Sequence, residues 1–239
     1  WIQNSYKKYP NCKYKLNPNI QKRFELIKAK LFAYTHSQAE VLAVYQNQIS
    51  TSSKYASAAA NFFNGDKKKS IDMIKSLIKD DPSNPYYHEI LGEIYYTLGN
   101  FKLAILEQKK TMELLSSDND LHLMMLGSYL IAESSDENII KSIKALNKSL
   151  FLNRTNSYAW YLLAKAHALN DNLALAQYAS AERYYLRRDK ALALSFAKKA
   201  IKNIDKDTVE WYRTNDLIQL IVGIEEKDNK NRTKDIKND

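Results

Sequence analysis

The sequence predicts an all-α fold, a right-handed superhelix of repeated helix-turn-helix units, on three observations. Only 5 Gly and 4 Pro occur in 239 residues, too few for the many turns of an all-β chain. Apolar residues stand three and four apart, as Leu91 and Tyr95 do, which places them on one helix face. Small residues return at a spacing of about 34 residues, with Leu-Gly pairs at Leu91-Gly92 and Leu126-Gly127.

Residues 85–118 are the clearest copy. They supply His88, Leu91, Gly92, Tyr95, Gly99, Phe101 and Ala104 at the spacing of a tetratricopeptide repeat. Gly92 and Ala104 are the small residues that let two antiparallel helices approach, and Leu103, Leu106 and Met112 are expected to give the second helix its apolar face. Neither helix buries that surface alone, so neighbouring units are required.

Residues 1–16 have no period and read as an irregular lead. Asn17 caps a helix with Pro18 in its first turn, and Ile20, Phe24, Ile27, Leu31 and Tyr34 form a stripe expected to pack on a partner surface. A short second helix runs from Gln38 to about Gln48. Repeat units start near 51, 85, 120 and 157. In the first, Ala58 is the packing residue, Gly65 the turn, Ile74 and Leu77 the second helix, and Pro82 the close. The third has Leu130 in its first helix and Ile143, Leu146 and Leu150 in its second, with a lengthened turn expected over Glu133 to Asn138. The fourth has Trp160, Leu163, Ala164 and His167. The run Leu173 to Arg187 is expected to close it and to open an overlapping unit from about 174, which continues with Ala181, Tyr184 and Ala193. A helix from Asp207, capped by Asp207 and Glu210, is expected to cover the last apolar face and end at Gly223. Residues 224–239, with both charge signs and almost no apolar residue, are expected to be disordered.

The net charge of +9 sits mainly in the lead, where Lys7, Lys8, Lys13, Lys15, Lys22, Arg23, Lys28 and Lys30 face Glu25 alone. Basic residues of the repeats, such as Lys67 to Lys69, Lys109, Lys110, Lys141, Lys144, Lys198 and Lys199, fall on second helices and read as a solvated outer face. No nucleic acid is therefore expected as a partner, and a nucleic-acid-binding repeat protein stands only as a further alternative. No apolar run is long enough for a membrane span. The single Cys12 excludes an internal disulfide and a thiolate metal cluster. A first residue of Trp rather than Met suggests a mature or excised portion of a longer protein.

The runs NPYYHEILGEIYYTLGNFKLAI and NSYAWYLLAKAHALNDNLALAQYASAERYYLRRDKALALSFAKKAIK resemble the C-terminal half of bacterial secreted zinc metallopeptidases related to the barrel-assembly-enhancing protease. The resemblance covers roughly Leu16 to Val222, and the overlapping fourth unit is its most specific part. It implies the accessory half of a periplasmic or envelope protease, which packs on its own upstream protease domain and recruits or gates polypeptide substrates. The family's catalytic helix carries His-Glu-x-x-His, two zinc ligands and a base. His88-Glu89 is followed by Ile90, Leu91 and Gly92, without the second His, so no catalytic residue, zinc or other cofactor is expected in this chain. A stand-alone adaptor is the alternative.

In such arrays the first helices line a concave groove. The residues at those positions are Tyr55, Phe62, Tyr86, Glu89, Glu93, Tyr96, Met124, Ser128, Tyr158, Tyr161, Lys165, Tyr178, Glu182 and Tyr185. Rigid aromatics with scattered charge suit a bound peptide, while roughly half of the tyrosines are expected to pack between helices instead. The groove lacks the Lys and Asn set of a receptor for chaperone tails. His88 and His167 occupy packing positions and read as core histidines, while His36 and His122 read as surface residues.

Overall fold

The computed structural model describes residues 17–45, 50–116 and 119–235, and their regular elements are all helices. These are α1 (Pro18–Thr35), α2 (Gln38–Tyr45), α3 (Thr51–Phe63), α4 (Lys67–Asp80), α5 (Pro85–Thr97), α6 (Phe101–Leu115), α7 (Asp120–Glu133), α8 (Asp136–Leu152), α9 (Ser157–Leu169), α10 (Leu173–Leu186), α11 (Lys190–Ala200) and α12 (Val209–Asp235). The expected irregular lead, 1–16, and the end of the second helix beyond Tyr45 lie outside the described residues. The chain divides into two compact units, Trp1–Ile94 and Tyr95–Asp239.

Five turns share one geometry, and it explains the repeat better than the glycines do. Gly65 and Gly99 have φ of 97° and 76°, and Ser134, Asp171 and Arg188 take the same left-handed conformation with φ of 60°, 54° and 64°. Each stands at the fifteenth position of its unit. After Gly99, Asp171 and Arg188 the next amide reaches back to the carbonyl five residues before it: Asn100 to Tyr95, Asn172 to His167 and Asp189 to Tyr184, at 2.9, 2.9 and 3.0 Å. At the sixteenth position Asp66, Asn172 and Asp189 cap the following helix through Lys69 N, Leu175 N and Leu192 N. The third unit therefore has no lengthened turn, contrary to the sequence expectation. Only Ser134 and Ser135 separate its helices, and the extra length lies in the 17-residue α8. The Glu133 carboxylate tightens that turn by accepting from Ser135 and Asn138.

In the first unit α1 begins as expected, with the Asn17 side chain accepting from Asn19 N at 2.9 Å. α1 and α2 pack on α3, which pairs with α4. The meeting surfaces are narrow: Leu26, Ala29 and Ala33 of α1, and Ala56, Ala58, Ala59 and Ala60 of α3, are buried. Ser70 Oγ donates to the Ala58 carbonyl at 2.7 Å, closing the α3–α4 pair. The stripe expected to pack faces the other way, with Ile20, Phe24, Ile27, Leu31 and Tyr34 each 50–69 % exposed. An alanine-rich α3 accepts a close approach from Ala29 and Ala33, which sets the bulky face outward.

In the second unit successive helices pair from α6 to α12. Ile131, Ile139, Leu146, Leu150, Trp160, Leu163, Tyr178 and Ala179 belong to one core. Ala181, Ala193, Ala197, Leu217 and Ile221 form a second. Trp160 Nε1 donates to the Arg154 carbonyl at 2.9 Å, so the indole is buried with its polar edge satisfied. Gly127 is a close-approach residue: a methyl there would meet Leu146 Cγ at 2.6 Å. On α6 the buried face is Ala104, Ile105, Gln108 and Thr111, whereas Leu103 and Leu106 are exposed. Gln108 anchors that face by donating to the His122 carbonyl at 2.9 Å, which makes His122 half-buried rather than a surface residue.

The final helix differs at both ends from the sequence reading. Asp207 has φ of 69°, outside any helix, and Thr208 provides the cap through Trp211 N. The helix then passes through Gly223 and continues to Asp235, where disorder was expected over 224–239; residues 236–239 lie outside the described residues. A Gly inside a helix costs about 1 kcal/mol relative to Ala.

Candidate polypeptide-binding surfaces

The groove positions of the first unit are occupied by the chain itself. Lys30 of α1 reaches Glu93 at 2.7 Å and Glu89 at 3.4 Å, the two carboxylates that lie one turn apart on α5. Burial works to lower the Lys30 ammonium, but the two carboxylates outweigh it and hold it above its ordinary value. Burial pushes the Glu93 carboxyl upward against the pull of Lys30. Tyr55 is fully buried beneath this cluster and its hydroxyl donates to the Tyr86 carbonyl at 3.1 Å. Burial, with Glu89 and Glu93 beside it, holds the Tyr55 phenol well above its usual range. Tyr55 is thus a packing residue and not a groove contact, and Tyr86 and Phe62 are half-buried. A second tie, Lys22 to Asp81 at 2.7 Å, fixes the start of α1 and holds the Asp81 carboxyl below its usual value.

Beside these contacts lies a cavity of about 420 Å³ walled mainly by Ile27, Leu31, Tyr34, Tyr55, Phe63 and Tyr86. Tyr34 and Phe63 meet edge to face at 5.1 Å. Lys30, the residue that closes the groove, carries no signal in the sequence beyond its place in a basic lead.

The second unit leaves its aromatic face open. Tyr96, Tyr158 and Tyr161 are 36, 52 and 38 % exposed. Tyr158 and Tyr161 stack at 5.7 Å, and Tyr96 stacks at 4.7 Å on the buried Tyr129. Partial burial, then the neighbouring Tyr96 and Tyr161, raise the Tyr158 phenol. The Arg183 guanidinium lies 4.7 Å over the Tyr161 ring, an arrangement worth about 0.5–1 kcal/mol at an exposed site. Lys165, exposed and one turn beyond Tyr161, extends the same face of α9. Met124, Ser128 and Tyr185 are half-buried. Arg183 and Tyr129 had no place in the sequence reading, since neither falls on a first-helix groove position.

Two predicted groove residues of this unit belong to its interior. Tyr178 is buried edge-on to Trp160 at 5.5 Å, and burial with Glu182 nearby pushes its phenol up to about 12. Glu182 is buried and ion-paired with Arg154. His88 and His167 are buried as expected; His88 Nε2 lies 3.3 Å from the Pro82 carbonyl, and burial lowers the His167 imidazole so that it is neutral at pH 7. No helix among the described residues is long and apolar enough to cross a membrane.

No protein-family model matches the sequence, and no curated protein matches it. Solved structures do. MamA of strain AMB-1 is similar at 15 % identity and a TM-score of 0.57, over 69 % of this chain and 98 % of that one. MamA from Desulfovibrio magneticus RS-1 is similar at 14 % identity and 0.52, over 79 and 97 %. The C-terminal part of a TPR repeat-containing protein from Cytophaga hutchinsonii is similar at 16 % identity and 0.55, over 91 and 88 %. At these identities the likeness concerns the fold, and with the periodic turns it establishes an all-α tetratricopeptide-repeat chain.

Proposed function

We propose that this chain is a protein-interaction scaffold that holds a polypeptide segment against Tyr96, Tyr158 and Tyr161 of its second unit. The observation that carries this reading is the exposure of three clustered tyrosines beside Arg183 and Lys165, in a repeat class whose faces are built for extended contact. With Glu182 neutralised by Arg154, the face is aromatic and cationic, so it favours segments carrying aromatic and acidic residues. In a peptide array read by fluorescence, Tyr158→Ala with Tyr161→Ala is expected to weaken the retained peptides by about tenfold or more. Unchanged binding rejects the assignment.

The sequence resemblance supports a finer reading, in which the chain is the non-catalytic accessory half of an envelope zinc protease and recruits or gates its substrates. In this reading the chain holds no zinc and performs no catalysis itself, and it works in the periplasm or cell envelope. A His-Glu-x-x-His helix encoded upstream in the same precursor is the expected observation, and a precursor without one removes the protease reading while leaving the scaffold intact.

A further inference from the structure

The outward face of α1 has a pattern that the rest of the first unit does not use. Ile20, Phe24, Ile27, Leu31 and Tyr34 are spaced four, three, four and three residues apart, the a and d positions of a coiled-coil seam. All five are at least half exposed, while the opposite face, Leu26, Ala29 and Ala33, is buried on the domain. One flank of the seam descends into the apolar cavity of about 420 Å³, where Ile27, Leu31 and Tyr34 face Phe63 and Tyr86. A helix laid along the seam therefore has a row of knobs to pack against and a recess for a large apolar side chain.

Charge decides what kind of helix fits. Arg23 and Lys28 stand at the flanking g and e positions, and among the described residues the ion pairs of α1 are those of Lys22 and Lys30. The third basic flank, Lys30, is neutralised by Glu93 and Glu89. A second copy of the chain in parallel would set Arg23 against Lys28, and in antiparallel each would meet its own kind, so either arrangement opposes like charges. We propose that the α1 seam is a docking site for a partner's amphipathic helix with an apolar stripe and acidic residues on its flanks. The site is separate from the tyrosine face of the second unit and does not depend on it.

The test uses the whole chain and two synthetic helical peptides of the same 18-residue length as α1, both with Leu at a and d. One carries Glu at e and g, the other Lys. Fluorescence anisotropy is expected to give saturable binding of the Glu peptide, several-fold tighter than the Lys peptide. Arg23→Glu with Lys28→Glu is expected to invert that order. Phe24→Asp with Leu31→Asp should abolish binding while the chain stays folded by circular dichroism, because both side chains are more than half exposed. Absent or equal binding of the two peptides, or binding that survives Phe24→Asp with Leu31→Asp, overturns the proposal. So does a wild-type dimer in sedimentation that the same double substitution dissolves, since a second copy would then be the occupant.

Discussion

A methyl group added at Gly127 would stand 2.6 Å from Leu146 Cγ, within a core where Leu146 is fully buried. The strain of forcing it in, about 1–3 kcal/mol, exceeds the helix-propensity gain of about 1 kcal/mol. Gly127→Ala is accordingly expected to lower the urea midpoint, and pairing it with Leu146→Ala should cost less than the two singles summed. A stabilised single variant would refute the close approach. Lys30 poses the opposite problem, because removing it leaves Glu93 and Glu89 without their cation. Lys30→Met is expected to destabilise by about 1–3 kcal/mol at pH 7, below the cost for a fully buried pair because solvent still reaches these groups. The sign with pH follows from Glu93, whose folded-state value already lies above its ordinary one. Protonation relieves an unpaired buried carboxylate, so the deficit should shrink as the pH falls through the carboxylate range, and denaturation at pH 7 and at pH 4 checks it. Gly127 was legible in the sequence as half of a Leu-Gly pair. Lys30 was not, because its role depends on which face of α1 meets α3.

At the level of elements, the same lesson is visible in α1 and in the turns. The cap at Asn17 and Pro18 was readable because capping is local chemistry. The outward stripe was not, since apolar spacing defines a face without saying whether the domain or a partner covers it. The turns were readable only where glycine marked them, at Gly65 and Gly99. Ser134, Asp171 and Arg188 adopt the same backbone with side chains that disfavour it, at about 1–2 kcal/mol for an ordinary residue. Asp pays less than Arg, because a short polar side chain tolerates this conformation. Arg188→Gly is therefore expected to stabilise by about 0.5–1 kcal/mol once the entropy of the unfolded glycine is counted, measurable as a raised thermal midpoint. A lowered midpoint would mean that the Arg188 side chain contributes more than its backbone costs.

On the scale of the molecule, the helical class followed from the repeat pattern of roughly 34–37 residues, because each unit is a local object. What the sequence could not supply was occupancy: the Glu89 and Glu93 positions of the first unit's groove are taken by Lys30 of its own α1, while the tyrosine face of the second unit is open. Burial is also uneven. α1 buries only Leu26, Ala29 and Ala33, whereas α9 buries Ala159, Trp160, Leu162, Leu163, Ala166 and His167. Hydrogen exchange should therefore find the α1 amides opening well before those of α9, and equal protection would contradict this. The overlapping unit adds a further property. Within α10, Tyr178 and Ala179 belong to one core and Ala181 to the next. Most repeat arrays can fray one unit at a time from an end, as links drop from a chain. Here Ala200 and Ile204, at and after the end of α11, belong to the Trp160 core and Trp211 of α12 packs against it, so α11 and α12 cannot detach without disturbing the packing around Trp160. The stretch from α9 to the first turns of α12 is thereby made a single cooperative block.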